Sequence, residues 1–270
     1  MNLKRIFLFL SLAAAVTAQA AVCLPQLFQS GMVLQRHQAV PVWGWADAGE
    51  RVTVTFNKKK CETAAAADGT WRVDLPAMMA GGPYELRVND LVLTDVLVGD
   101  VWLCSGQSNI DVTIERVYPN YTDEIDHFAL PQVRLFRVQN ETSTHGPKDD
   151  IRPTTINWKP LTKQNAWLFS AAGSFLGKRM FEKTGVPQGI IVNSWGGTPI
   201  EAWVSADSLR RDYPMLVKRA QFFESDDYVR GQQVPICSPA SSGTRCSTPR
   251  TPASRKAGCR PTTTTAAGPR

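Results

Sequence analysis

The stretch GDVWLCSGQSNI, residues 99–110, decides how the chain reads. A short apolar run enclosed by Gly99 and Gly106 has the length and composition of a buried strand. It ends in Gly106-Gln107-Ser108-Asn109. A small residue before the turn permits tight backbone geometry, and the Ser108 hydroxyl is thrust out at the strand's C-terminal edge. Open α/β sheets bind ligands at that edge. The backbone N–H of Ser108 is placed there to help hold an oxyanion. Taken alone, a GxSx turn is more often a plain polar link than a nucleophile. It is also not the GxSxG elbow of α/β-hydrolases, because position 110 is Ile.

Outward from this strand the same logic recurs. GIIVNS (189–194) is a second buried-type strand, and it runs into NSWGGTPIEAW (193–203). Gly196-Gly197 lets backbone approach a substrate closely and offers N–H donors where the next helix starts. Two such turns at one sheet edge make a site a better reading than either alone. PQVRLFRV (131–138) predicts a third strand. SAAGSFLGKRMFEKTG (170–185) predicts a helix with Ala171, Phe175, Leu176, Met180 and Phe181 on one face, stopped by Gly185. Thr122–Ala129 can make another helix, and Ser205–Tyr228 is helical and polar. Strands separated by helices indicate an α/β layer.

Before Gly99 the period is two. VPVWGW (40–45), RVTVTF (51–56), TWRVDL (70–75), YELRV (84–88) and LVLTDVLV (91–98) are separated by turn residues, which predicts a small antiparallel β-sandwich. Trp43, Trp45 and Trp71 read as its core, whereas Trp195 and Trp203 flank the glycine turn and are candidates for stacking on a sugar.

GDVWLCSGQSNI together with SWGGTPIEAWVS resembles the sialate O-acetylesterase family of SGNH-type carbohydrate esterases. LFQSGMVLQRHQAVPVWGWADAGERVTV (27–54) and FSAAGSFLGKRMFEKTGVPQGIIVNSWGG (169–197) resemble it too, so the likeness covers about residues 24–230. It implies a flavodoxin-like α/β/α SGNH-hydrolase domain, here incomplete, preceded by the β-sandwich module. It also implies removal of O-acetyl groups from sialic acids through a serine acyl-enzyme, without metal or organic cofactor. Ser108 matches the nucleophile and one oxyanion N–H, and Gly197 or its neighbour Gly196 matches the other. Gln107, Asn109, Trp195 and Thr198 fall at substrate-binding positions. An acetylxylan-type polysaccharide deacetylase and a non-catalytic carbohydrate-binding protein are the alternatives.

The resemblance also implies a later QGES-type block and an Asp-x-x-His pair for the general base and its orienting acid. Neither pattern occurs in the 270 residues. The three histidines are His37, His127 and His145; Glu124 stands at −3 from His127 and Thr142 at −3 from His145. Asp111 and Glu115 form a possible carboxylate pair near Ser108, with a solvated helix face as the plainer reading.

Composition bounds the remaining classes. The chain carries 30 Lys+Arg and 24 Asp+Glu, and six of the basic residues lie in 235–270, which has no acidic residue. The rest balances at 24 against 24, so the basic excess belongs to a tail and argues against a nucleic-acid face. That tail has six Pro, seven Thr and five Ser but no aromatic residue, and it cannot bury enough apolar surface to offset its ordering entropy. It reads as a disordered basic segment or an out-of-frame translation. Lys4-Arg5, the run Ile6–Val16 and Ala18-Gln19-Ala20 have the order of a cleavable secretory signal. A helix over that run reaches about 16 Å, against roughly 30 Å of hydrocarbon core, so it does not anchor the chain. The expected organisation is a signal at 1–20, a β-sandwich module at 21–98, the N-terminal part of an esterase domain at 99–234 and the tail at 235–270. The expected location is periplasmic or extracellular. The expected partner is O-acetylated sialic acid or another acetylated sugar, with no nucleic acid and no membrane after signal cleavage. No cysteine pair has CxxC spacing, which disfavours zinc.

Overall fold

A computed structural model describes residues 22–143, 146–151, 157–224 and 228. The predicted signal, His145 and the 235–270 tail lie outside the described residues.

The first half is all strand: β1 (Val33–Gln35), β2 (Val40–Trp45), β3 (Arg51–Phe56), β4 (Lys59–Ala64), β5 (Thr70–Leu75), β6 (Gly81–Val88) and β7 (Leu91–Gly106). β2 and β5 pair antiparallel in a sheet of their own, while β4-β3-β6-β7 run antiparallel in that order. The period-two alternation is what folds them together. Val52, Val54 and Phe56 of β3 are buried on one side, and Trp71, Val73 and Leu75 of β5 on another. These residues, with Val42, Leu86, Val88, Val96 and Val98, share one core.

β7 does not stop at the expected boundary after Val98. Its first part pairs with β6 and, at Leu97–Gly99, with β1; from Asp100 onward it pairs in parallel with β10 (Gln188–Ser194). The change of partner happens at Gly99, where a Cβ would lie 2.0 Å from the carbonyl oxygen of Pro187, so only glycine lets the incoming strand approach. Arg36 grips Asp100 at the same junction through Nε at 2.8 Å and Nη2 at 3.0 Å.

After β7 come α1 (Ser108–Asp111), α2 (Ile114–Val117), α3 (Thr122–Asp126), β8 (Ala129–Arg137), β9 (Lys159–Thr162), α4 (Lys163–Ala166), α5 (Ala171–Thr184) and, beyond β10, α6 (Ala206–Asp212) and α7 (Pro214–Phe223). The stretch expected to be helical over 205–228 holds two helices, α6 and α7, parted where Pro214 begins α7. The central order is β7-β10-β8-β9, parallel across the first three. Among the described residues no strand pairs with the other edge of β7 over Asp100–Gly106, and Leu103 is 67% exposed there. The result is a mixed α/β fold around a central sheet.

The helix α5 corrects the sequence reading of its face. Ser170 caps its start, accepting from Gly173 N–H at 3.2 Å, and Gly185 ends it at φ 66° with its N–H on Phe181 O. The buried residues are Ala171, Gly173, Ser174 and Gly177, not the Phe175–Phe181 set. Small residues let the helix backbone lie close on β10 and β8, while Phe175 and Phe181 wrap its flanks onto the second core of Ile114, Ile125, Phe128, Val133 and Ile190.

Candidate active site

The parallel register sets Ser105 against Asn193 and Gly106 against Ser194, so β7 and β10 end level. Their two turns therefore leave the sheet side by side. Gly106, at φ 144°, turns the chain, and its carbonyl accepts Trp195 N–H at 3.0 Å, tying one turn to the other. Gln107 precedes α1, and its carbonyl accepts from Ile110 and Asp111. Ser108 is the first residue of α1 and is exposed. A Cβ on Gly196 would lie 3.9 Å from both Cα and Cβ of Ser108.

The carboxylate of Asp111 binds this arrangement together. Its Oδ1 accepts from Arg137 Nη2 at 2.6 Å and from Ser194 Oγ at 2.5 Å; its Oδ2 accepts from Gly196 N–H at 2.9 Å. The Asp111 and Arg137 side chains are each 26% exposed, so the solvated-face reading of Asp111 is replaced by a half-buried hub. Glu115 is exposed and does not join it. The N–H of Gly196 is thereby committed to the Asp111 carboxylate. The N–H groups of Ser108 and of Gly197, the latter at φ 81°, have no acceptor among the described residues, and neither does Ser108 Oγ. The first N–H groups of a helix lack an intrahelical acceptor.

Beside these turns a cavity of about 430 Å³ opens, lined by Asn193, Trp195, Thr198 and Trp203 together with Asn140 and Lys148. Trp195 is 39% exposed. Thr198 Oγ1 donates to the Trp195 backbone carbonyl at 2.8 Å and accepts from Trp203 Nε1 at 2.9 Å, which holds the Trp203 indole against the turn. Asn109 is exposed and Ser108 lies outside the cavity lining.

The chain is 36% identical over 200 residues to the sialate O-acetylesterases of Pongo abelii and of Homo sapiens, matching 66% of this chain and 38% of each relative. A solved carbohydrate acetylesterase from Xanthomonas citri is 41% identical with a TM-score of 0.64, covering 71% of this chain and 44% of that one. The chain belongs to the sialate O-acetylesterase family. It spans less than two fifths of the length of those curated relatives. No family model matches it.

In this family member neither described histidine reaches Ser108. His127 ends α3 with Nδ1 2.5 Å from the carbonyl oxygen of Asp123, and Glu124 is paired with Lys178 at 2.9 Å instead of with His127. His37 is exposed between β1 and β2. Burial pushes the Cys104 thiol up from its ordinary value, and Cys104 and Cys61 are free cysteines. Among the described residues no group of three or more His, Cys, Asp or Glu could hold a metal ion. Arg137 and Ser194 escaped the sequence reading. The one available signal was that both close strands ending at the same edge as β7.

Proposed function

We propose that the chain carries the nucleophile side of a carbohydrate O-acetylesterase acting through a serine acyl-enzyme. The observation that supports it is the juxtaposition of an unbonded Ser108 hydroxyl with the unpartnered N–H groups of Ser108 and Gly197, on two turns locked level with each other. Ser108 Oγ attacks the acetyl carbonyl carbon, its proton passes to a base, and the carbonyl oxygen becomes an oxyanion facing those N–H donors. Collapse breaks the ester bond and releases the sugar hydroxyl, which takes a proton. Water then attacks the acetyl-Ser108 ester, releasing acetate and restoring the hydroxyl. The sugar, O-acetylated sialic acid or another acetylated sugar, rests against Trp195 and Thr198 in the neighbouring cavity. The parallel strands β7, β10 and β8 are, on this reading, part of a flavodoxin-like layer whose further strands add to the open edge of β7, and residues 21–98 form a β-sandwich module beside it.

Among the described residues no base stands at Ser108, and the 270 residues contain no Asp-x-x-His. This chain alone is therefore expected to turn over slowly. Losing a triad member in a serine hydrolase costs about 10⁴–10⁶-fold in kcat. Hydrolysis of p-nitrophenyl acetate by the chain and by Ser108→Ala tests this. The expected result is a trace of Ser108-dependent acetyl transfer with little turnover. Hydrolysis equal in Ser108→Ala removes Ser108 as nucleophile, and rapid turnover that vanishes in Ser108→Ala means that a base is present after all. Export is part of the same proposal: protein from a secreting host should begin at Ala21, and an intact Met1 on secreted material contradicts it.

A further inference from the structure

Asp111 sits on α1 three residues after Ser108, yet its three partners come from other segments: Arg137 at the end of β8, Ser194 at the end of β10 and Gly196 in the turn beyond. We infer that Asp111 is a positioning residue that fixes the Gly196–Gly197 turn against the Ser108 turn, so that Gly197 N–H is left facing the space over Ser108. This rests on the esterase reading of Ser108.

Three features carry it. First, the residues that follow β10 are exposed and make few contacts of their own: Gly196 and Gly197 are exposed, and a Cβ on Gly197 would meet nothing within 4 Å. Packing therefore does not hold the turn, and hydrogen bonds must. Second, the bonds available at its start are Trp195 N–H on Gly106 O and Gly196 N–H on Asp111 Oδ2, both reaching to the Ser108 turn. Third, by taking Gly196 N–H the carboxylate prevents that donor from competing for the oxyanion and leaves the next N–H unpartnered. Arg137 in turn balances the carboxylate's charge and, with Ser194 Oγ, fixes Oδ1, so Oδ2 is aimed at Gly196. An oxyanion donor must stand about 2.7–3.1 Å from the developing charge, so a turn free to shift by an ångström loses it.

The selective variant is Asp111→Asn. Its remaining carbonyl oxygen can still serve Arg137 and Ser194, but the amide then turns its NH₂ toward Gly196 N–H, donor against donor. The turn should be released with the sheet intact. Amide hydrogen exchange on the full 270-residue chain reads this directly. Exchange at Trp195 and Gly196, whose N–H groups are bonded to the Ser108 turn, should rise at least about tenfold, while Ile190 and Val192 keep their protection. Unchanged exchange in the turn overturns the inference, and loss of protection throughout β10 makes Asp111 a general structural residue and overturns it too. The chemical readout is the rate at which p-nitrophenyl acetate acetylates Ser108, followed by intact mass. It should fall by about 10²-fold in Asp111→Asn, as for loss of one oxyanion donor, with the half-saturating ester concentration unchanged. An unchanged acetylation rate refutes the positioning role. Absence of any Ser108 acetylation in the unmodified chain counts against the esterase reading instead, and the exchange result still decides what holds the turn.

Discussion

Gly177→Ala probes the contact that seats the site's second turn. Gly177 faces the sheet from α5, and a methyl built on it would lie 2.7 Å from Val133 Cγ1, 2.9 Å from Ile190 Cγ1 and 3.2 Å from Ile190 Cδ1. Carbon atoms pack at about 3.5–4.0 Å, so the shortfall is close to an ångström against two strands at once. Val133 and Ile190 are both fully buried and β-branched, with little rotamer freedom to yield. Overpacking of this kind costs about 1–3 kcal/mol, and two stiff neighbours argue for the upper end. Alanine returns about 1 kcal/mol over glycine through helix propensity. The net expectation is a loss of about 2 kcal/mol, combining overpacking and propensity. In urea, with a slope of about 2 kcal/mol/M, the midpoint should fall by about 1 M at constant slope. Circular dichroism at 222 nm follows the transition. A variant as stable as the parent, or more stable, would mean that propensity prevails and that α5 does not lie this close to β10, which would undo the account of its small-residue face.

Other outcomes follow from single contacts. Gly197→Ala meets no steric obstacle, but φ 81° costs an L-residue about 1–2 kcal/mol, so the urea midpoint should fall by about 0.5–1 M and Ser108 acetylation should fall with it. Gly196→Ala, by contrast, should fold normally yet block acetylation, because its methyl would stand 3.9 Å from Ser108 Cβ in the space the ester must enter; undiminished acetylation would show that the ester approaches from elsewhere. Asp95→Asn removes the carboxylate that holds Arg134 at 2.6 and 2.9 Å; Arg134 is 8% exposed, but Asp95 is 48% exposed on its side-chain surface, so the cost should be about 1–3 kcal/mol by urea unfolding, below that of a fully buried pair. The hydrogen bond from Lys163 holds the Asp126 carboxyl below its ordinary 3.8. The stabilisation it lends is thus present above that value and lost as pH falls through the lowered one, so unfolding curves of Lys163→Met and the parent should differ at pH 7 and draw together as the pH falls below 3.8.

What the sequence disclosed depended on whether a segment's neighbours impose a pattern on it. β2, β3 and β5 begin and end where their alternation does, because one face of each is buried and a slip of one residue would expose Val52, Val54 and Phe56 together. β4, Lys59–Ala64, escaped because it is a charged edge strand with no buried residue. β9, Lys159–Thr162, buries Leu161 alone, and one residue makes no period. β6 starts at Gly81, inside what reads as a turn, through an irregular register with β7. The apolar face of α5 was misread because Phe175, Leu176 and Met180 outweigh glycine on any hydrophobicity count, whereas close helix–sheet contact selects for small volume. In the site, Ser108 and the glycine turn were legible because each follows an apolar strand directly. Asp111 was not, since its partners are 26, 83 and 85 positions away and nothing local marks them.

The strand β7 explains how the described parallel strands carry an ordered site. Its first half is fixed in the antiparallel sheet by β6 and at its centre by β1, so its direction does not depend on the parallel layer. At the change of partner the bidentate Arg36–Asp100 pair, the Val101 N–H on Gln35 Oε1 at 2.9 Å and the Asp100 N–H on Pro187 O at 2.9 Å hold both halves in one line. Gly99 admits β10 to that line, and the register then obliges β7 and β10 to end together. The position of Ser108 relative to Gly197 is thus set from behind, by the β-module and the junction, as much as by the layer that bears it. Bulk introduced at Gly99 should therefore damage the site although it lies seven residues before the end of β7, because a Cβ 2.0 Å from Pro187 O pushes β10, and with it the glycine turn, away from the serine.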